Sequence, residues 1–145
     1  RIPIVWGGHV MEAELVATDP RMCVLKGFVT LEEADDILGL ARDGGNLHDS
    51  LVPATRAAKE AGTLTRELIE AEGRTSTSCS VPRTQPVVSS VAQRAAFVCG
   101  LDPFCTEPVQ VVHYDEGQRY TEHNDWFQPE SPFYEERIRS RGQRL

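Results

Sequence analysis

Apolar residues recur at three- and four-residue intervals in two parts of the chain. Ala34, Ile37, Leu38 and Ala41 follow Thr30, and the spacing gathers them on one face of a helix. Thr30 with Glu33 three positions later is a capping-box pattern, and Gly44-Gly45 supplies the stop. Val87, Val88, Val91, Ala95 and Val98 predict a second helix, with Pro86 in its first turn and Gly100 at its end. Between them, "PATRAAKEAGTLTRELIEAEG" (53–73) is rich in helix formers and charge, and reads as an exposed helical excursion broken near Gly62.

Strand patterns are shorter. "RMCVLKGFV" (21–29) reads as a strand whose start Pro20 marks, and "RTSTSCSVP" (74–82) as a strand or extended loop. "EPVQVVHY" (107–114) predicts a strand, "DEGQ" (115–118) a turn with Gly117 at positive φ, and "RYTEHNDWF" (119–127) the returning strand. "QPESPFYEERIRSRGQ" is loop-like, and a further strand is expected to start at the final Arg-Leu. Helices first and strands later argue for an α+β fold with a sheet or β-roll core.

The length of 145 residues suits one domain, 1–145. The apolar fraction of 40% supports a lean core, and a net charge of −7 argues against a nucleic-acid partner. The cluster Arg137, Arg139, Arg141 and Arg144 follows Glu135 and Glu136, so a solvated mixed-charge segment accounts for it. No apolar run reaches the length of a membrane span, and the first residues lack both the layout of a signal peptide and an initiator Met. Cys23, Cys79, Cys99 and Cys105 show no C-x-x-C spacing, which leaves free thiols as the default and disulfides open.

Two His-x-Asp pairs remain, His113/Asp115 and His123/Asp125. Residues two apart on a strand share a face, so either pair can offer an imidazole and a carboxylate to one metal ion. Asp115 falls in a turn, where Asp is favoured for capping backbone amides, and His113 is then an ordinary strand residue. The second pair sits inside the returning strand and precedes Trp126 and Phe127, which could wall a pocket. His123 and Asp125 are the better candidates.

In their combined pattern, Gln110-x-x-x-Tyr114-x-x-Gly117-Gln118-x-Tyr120-x-x-His123-x-Asp125 resembles the prolyl 4-hydroxylase branch of the iron(II)- and 2-oxoglutarate-dependent oxygenases. The resemblance runs from about Pro20 to Leu145, with 43–73 fitting poorly and reading as a helical insertion. It implies a double-stranded β-helix, or jelly-roll, core flanked by N-terminal helices. It also implies a facial triad of two His and one carboxylate around Fe(II), with 2-oxoglutarate and O2 as cosubstrates and ascorbate as a reductant. His123 and Asp125 match two iron ligands. Tyr114 matches a tyrosine that bonds to 2-oxoglutarate, and Arg74 and Arg144 match positions of a peptide-substrate groove. Without the pattern, Tyr114 reads as a core aromatic, the two Arg as exposed charges, and Tyr120 as sheet packing.

The family's second His, and the Lys or Arg that pairs with the far carboxylate of 2-oxoglutarate, have no match after Asp125; residues 126–145 contain no His. The stretch is therefore expected to be the N-terminal portion of a catalytic domain, inactive alone, with the remainder in a parent chain. The implied substrate is a proline in an extended, proline-rich peptide. A superfamily relative acting on a free amino acid or another small molecule is one alternative, and a non-catalytic binding module on the same scaffold is another. The resemblance also brings the secretory pathway, the endoplasmic reticulum, as an expected compartment.

Overall fold

The computed structural model describes residues 1–44, 47–130 and 134–144. The described residues form an α+β fold with two three-stranded antiparallel sheets and five helices among them. They divide into two compact units, 1–48 with 78–112 and 49–77 with 113–145.

The first unit opens with strands that the sequence reading did not anticipate. β1 (Ile2–Trp6), β2 (His9–Thr18) and β3 (Arg21–Lys26) form an antiparallel meander, so strands precede the first helix. Gly7 and Gly8 join β1 to β2, both at positive φ, and Trp6 pairs directly with His9. A two-residue loop with both positions at positive φ matches the right-handed twist of the strands it joins, which is why glycines occupy it.

α1 (Leu31–Asp43) starts as predicted: Glu33 N–H donates to the Thr30 hydroxyl at 3.1 Å, and Thr30 N–H donates to the Glu33 carboxylate at 3.0 Å. Gly44 caps it; Gly45, the other residue of the predicted stop, lies outside the described residues. Ala41 of α1 joins Cys79, Val81 and Val88 in a core closed by Ile37, Leu40, Val87, Val109 and Val111. The Val81 N–H donates to the Val109 carbonyl at 3.0 Å, which fixes the two strand segments beneath the helices. α4 (Pro86–Cys99) ends at Gly100 in the left-handed region, with Leu101 N–H reaching back to the Ala96 carbonyl.

β4 (His48–Asp49), β5 (Thr77–Ser80) and β6 (Gln110–His113) make the second sheet in the order β4-β5-β6.

In the second unit, α2 (Pro53–Glu60) and α3 (Arg66–Ala71) occupy the predicted helical excursion, and Gly62 at φ 70° breaks it. The interior is unusually polar. Ser76 donates to Ser50 between buried hydroxyls, and buried Thr55 exchanges hydrogen bonds with the backbone of Val52. Such groups stay buried because each finds a partner. α5 (Tyr134–Arg141) replaces the loop expected there. The expected returning strand is the other difference. Only Tyr120 forms a β-bridge, and 121–127 run through bends and irregular backbone. Leu145, where a further strand is expected to begin, lies outside the described residues.

Candidate metal-binding site

The segment from β6 to Phe127 carries both His-x-Asp pairs. After β6 the chain turns at 115–118, closed by the Gln118 N–H on the Asp115 carbonyl at 3.0 Å, with Gly117 at φ 82°. The side chain that caps the turn is Gln118, which accepts from Asp115 N–H at 2.8 Å, and not the Asp115 carboxylate. Asp115 is thus a turn residue as read, but through its backbone. Among the described residues no ion pair joins His113 to Asp115.

Beyond the turn, residues 119–121 lie antiparallel to 73–75. Thr75 N–H donates to the Arg119 carbonyl at 3.0 Å, Arg119 N–H to the Thr75 hydroxyl at 2.9 Å, and Thr121 N–H to the Gly73 carbonyl at 3.0 Å. At the centre Arg74 and Tyr120 form the bridge, with the guanidinium carbon 4.7 Å from the phenol centroid. The strand then ends, and His123 folds back so that its ring stacks on Tyr120 with centroids 3.6 Å apart and planes at 20°.

This stacking decides how the pair meets. His123 and Asp125 do not share a strand face as the alternation argument supposed, because neither is in a strand. A bend at 122 and irregular backbone through 123–125 leave His123 Nε2 3.5 Å from Asp125 Oδ1 instead. The His123 side chain is 36% exposed and that of Asp125 80%. His123 Nδ1 lies 2.7 Å from the Thr121 carbonyl. A carbonyl oxygen only accepts, so Nδ1 carries a proton, and Nε2 is the ring nitrogen turned toward Asp125. An imidazole nitrogen beside an accessible carboxylate is a combination of donor types that divalent metal sites use. Among the described residues no group of three or more His, Cys, Asp or Glu stands ready to hold a metal.

The other predicted site residues divide. Arg144 joins the pair: its guanidinium donates to the Asp125 carbonyl at 3.4 Å and lies 4.9 Å from the Phe127 ring centroid. Arg74 joins through Tyr120, and its Nε is buried with no hydrogen-bond partner among the described residues. Tyr114 stands apart; it is 45% exposed, and no hydrogen bond or ring contact links it to His123 or Asp125 among the described residues. Trp126, proposed as a pocket wall, is half-exposed.

Two contributors escaped the sequence reading. Gln143 clamps Phe127, accepting from its N–H at 2.7 Å and donating to its carbonyl at 3.1 Å, and so fixes the backbone just after Asp125. Gly73 lets 73–75 approach 119–121; it adopts φ 73°, and a Cβ there would sit 2.5 Å from the Thr121 hydroxyl. Positive φ at a glycine leaving a helix was the available signal for Gly73. For Gln143, sixteen residues from its partner, there was none.

Comparison with curated proteins finds relatives along most of the chain. It is 29% identical over 133 residues to the Arabidopsis thaliana protein named "Probable prolyl 4-hydroxylase 8", covering 91% of this chain and 41% of the relative. "Probable prolyl 4-hydroxylase 7" of the same plant is 34% identical over 109 residues, 74% of this chain and 31% of the relative. "Probable prolyl 4-hydroxylase 6" is 32% identical over 109 residues, 74% and 35% respectively. The chain thus spans well under half the length of these relatives. No family profile matches, and no solved structure gives a significant match. The agreement of the matched names, over alignments that take in 74–91% of the sequence, places the chain in a prolyl 4-hydroxylase-like family.

Proposed function

We propose that the chain is the N-terminal portion of the catalytic domain of an Fe(II)- and 2-oxoglutarate-dependent dioxygenase that hydroxylates peptidyl proline at the 4-position. The observation that carries this reading is the pairing of His123 Nε2 with Asp125 Oδ1, the imidazole already committed to the Thr121 carbonyl through Nδ1. His123 and Asp125 are the two ligands this stretch supplies. The remaining His, and the cation for the far carboxylate of 2-oxoglutarate, belong to a further part of the parent protein. The relatives' greater length supports that division. The jelly-roll core is completed in the same way, and 43–73, containing α2 and α3, is an insertion outside it.

Bound Fe(II) would supply oxygen activation coupled to decarboxylation of 2-oxoglutarate, with ascorbate as reductant. What this chain contributes is binding and orientation. His123 offers one lone pair in a defined direction, and Asp125 adds a hard oxygen donor and a negative charge that suit a divalent ion. Tyr114, itself half-exposed, is the residue assigned to 2-oxoglutarate. Arg74, over the Tyr120 ring, and Arg144, beside the backbone of Asp125, are the two cations assigned to the carbonyls of an extended peptide. A proline-rich segment in polyproline II form leaves those carbonyls unbonded.

The experiment is mass spectrometry of proline-rich peptides after incubation with the full-length protein, Fe(II) and 2-oxoglutarate. Addition of one oxygen to proline is expected. Product from free proline or another metabolite, with none from peptides, transfers the reading to a small-molecule hydroxylase. Failure of the full-length protein to bind either Fe(II) or 2-oxoglutarate by calorimetry leaves a binding module.

A further inference from the structure

The imidazole of His123 is restrained on three sides by the protein itself. One face lies on Tyr120 at 3.6 Å, Nδ1 donates to the Thr121 carbonyl, and the Nε2 edge faces Asp125. Turning the ring about its Cβ–Cγ bond would drive its edge into the phenol and break the Nδ1 hydrogen bond. The restraint has force only if Tyr120 and Thr121 are themselves fixed, and both are. Tyr120 bridges Arg74, whose guanidinium lies over its ring. Thr121 uses both of its peptide groups: its N–H donates to Gly73, and its carbonyl accepts from His123. Gly73 permits this approach because it alone carries no Cβ to strike Thr121.

We propose that the short ladder joining 73–75 to 119–121 is a positioning device, in which Tyr120 and Thr121 set the rotamer and the tautomer of His123 and leave Nε2 as its outward lone pair for a metal ion. Tyr120 and Thr121 are positioning residues; they act through the imidazole. The metal part of this inference rests on the reading of His123 as a ligand, whereas the fixing of the ring is independent of it. Outer groups that hold a ligating histidine in one tautomer commonly change metal affinity by about ten- to a hundredfold when removed.

The test uses metal-free full-length protein at a pH where the ring is neutral. Nitrogen-proton correlation spectra of the His123 ring distinguish a proton on Nδ1 from one on Nε2. The proton is expected on Nδ1, with the ring's carbon-bound protons displaced upfield by the stacked phenol. Tyr120→Leu should lose the displacement and mix the tautomers, whereas Tyr120→Phe should keep both features. Co(II), as a probe for the divalent site, should bind roughly tenfold more weakly to Tyr120→Leu and unchanged to Tyr120→Phe. A wild-type ring protonated on Nε2, or a Tyr120→Leu spectrum identical to wild type, overturns the proposal. The wild-type measurement requires no variant, so an unfolded Tyr120→Leu does not shield it. If Co(II) leaves the His123 signals untouched, the ligand reading fails while the tautomer result still decides the positioning claim.

Discussion

Arg94 of α4, only 2% exposed, grips both carboxylate oxygens of Glu33 at the start of α1, at 2.6 and 2.9 Å. The same guanidinium donates to the Phe28 carbonyl and lies among the rings of Trp6 and Phe28. Glu33 also closes the capping box with Thr30, so one carboxylate caps the start of the helix and neutralises a buried cation. Removing it leaves Arg94 uncompensated, the costly case for a buried pair. Glu33→Ala should lower the free energy of unfolding by about 3–5 kcal/mol. Urea denaturation of wild type and variant measures this, and a loss below about 1 kcal/mol would assign the pair no more than the worth of a surface bridge.

The same pair sets an acid limit. The hydrogen bond from Arg94 is the main cause that holds the Glu33 carboxyl at about 2, against an ordinary value of 4.5. A carboxyl depressed by folding stabilises fully above its unfolded pKa, and the contribution drains away as pH falls through the folded one. The pair should therefore keep its full effect down to about pH 4.5 and surrender it progressively between there and pH 2. In Glu33→Gln that part of the acid-unfolding profile should be flatter than in wild type. Parallel profiles would remove Glu33 from the titrating groups.

Asp125 is largely exposed and His123 packs only on Tyr120, outside the buried core, so function and fold should separate at them. His123→Ala or Asp125→Ala in the full-length protein should abolish hydroxylation while leaving the far-ultraviolet circular dichroism unchanged. His113→Gln, altering the exposed end of β6, should be tolerated. Near-normal turnover in either of the first two variants would move the site elsewhere, and loss of iron from His113→Gln would restore the rejected pair.

Local signals were the legible ones. Thr30/Glu33, Gly62, Pro86, Gly100 and Gly117 act within four or five residues of themselves, and each stands where the sequence put it. The N-terminal hairpin was legible too, in Ile2, Ile4 and Trp6 alternating on one side of Gly7-Gly8 and Met11, Ala13 and Leu15 on the other, yet Pro3 and the exposed valines obscured it. The returning strand failed for a different reason. "RYTEHNDWF" has strand composition, but a strand needs a neighbour, and among the described residues no backbone hydrogen bond to 73–75 follows the one from Thr121. The candidate pair was found with the wrong geometry in mind. Stacking on Tyr120, not alternation, brings His123 to Asp125.

Gly73 tests whether the ladder matters to the fold as well as to the imidazole. At φ 73° any side chain is strained, and its Cβ would meet Thr121 Oγ1 at 2.5 Å and Cγ2 at 2.6 Å. The conformational term alone is on the order of 1–3 kcal/mol, and relieving the clash means moving Thr121. Gly73→Ala should therefore destabilise the protein by at least about 1 kcal/mol, and amide exchange at Thr121 should accelerate with it. A Gly73→Ala protein as stable as wild type, with Thr121 still protected, would show that 73–75 and 119–121 are not locked together.

Gln143 poses the last case, since its two hydrogen bonds to Phe127 span sixteen residues and hold a buried residue over whose ring Arg137 and Arg144 lie. Truncation leaves the Phe127 N–H and carbonyl to water or to nothing; at about 1 kcal/mol for each bond, Gln143→Ala should cost about 2 kcal/mol. Gln143→Glu keeps the acceptor for the Phe127 N–H but loses the donor to its carbonyl, so about half of that cost is expected. Because Arg144 reaches the Asp125 carbonyl from the residue next to Gln143, the truncation should also loosen Asp125. Exchange of the Phe127 amide reports the first effect and Co(II) affinity the second. Faster exchange with unchanged affinity would confine Gln143 to packing, whereas both changing together would make it part of what holds the carboxylate beside His123.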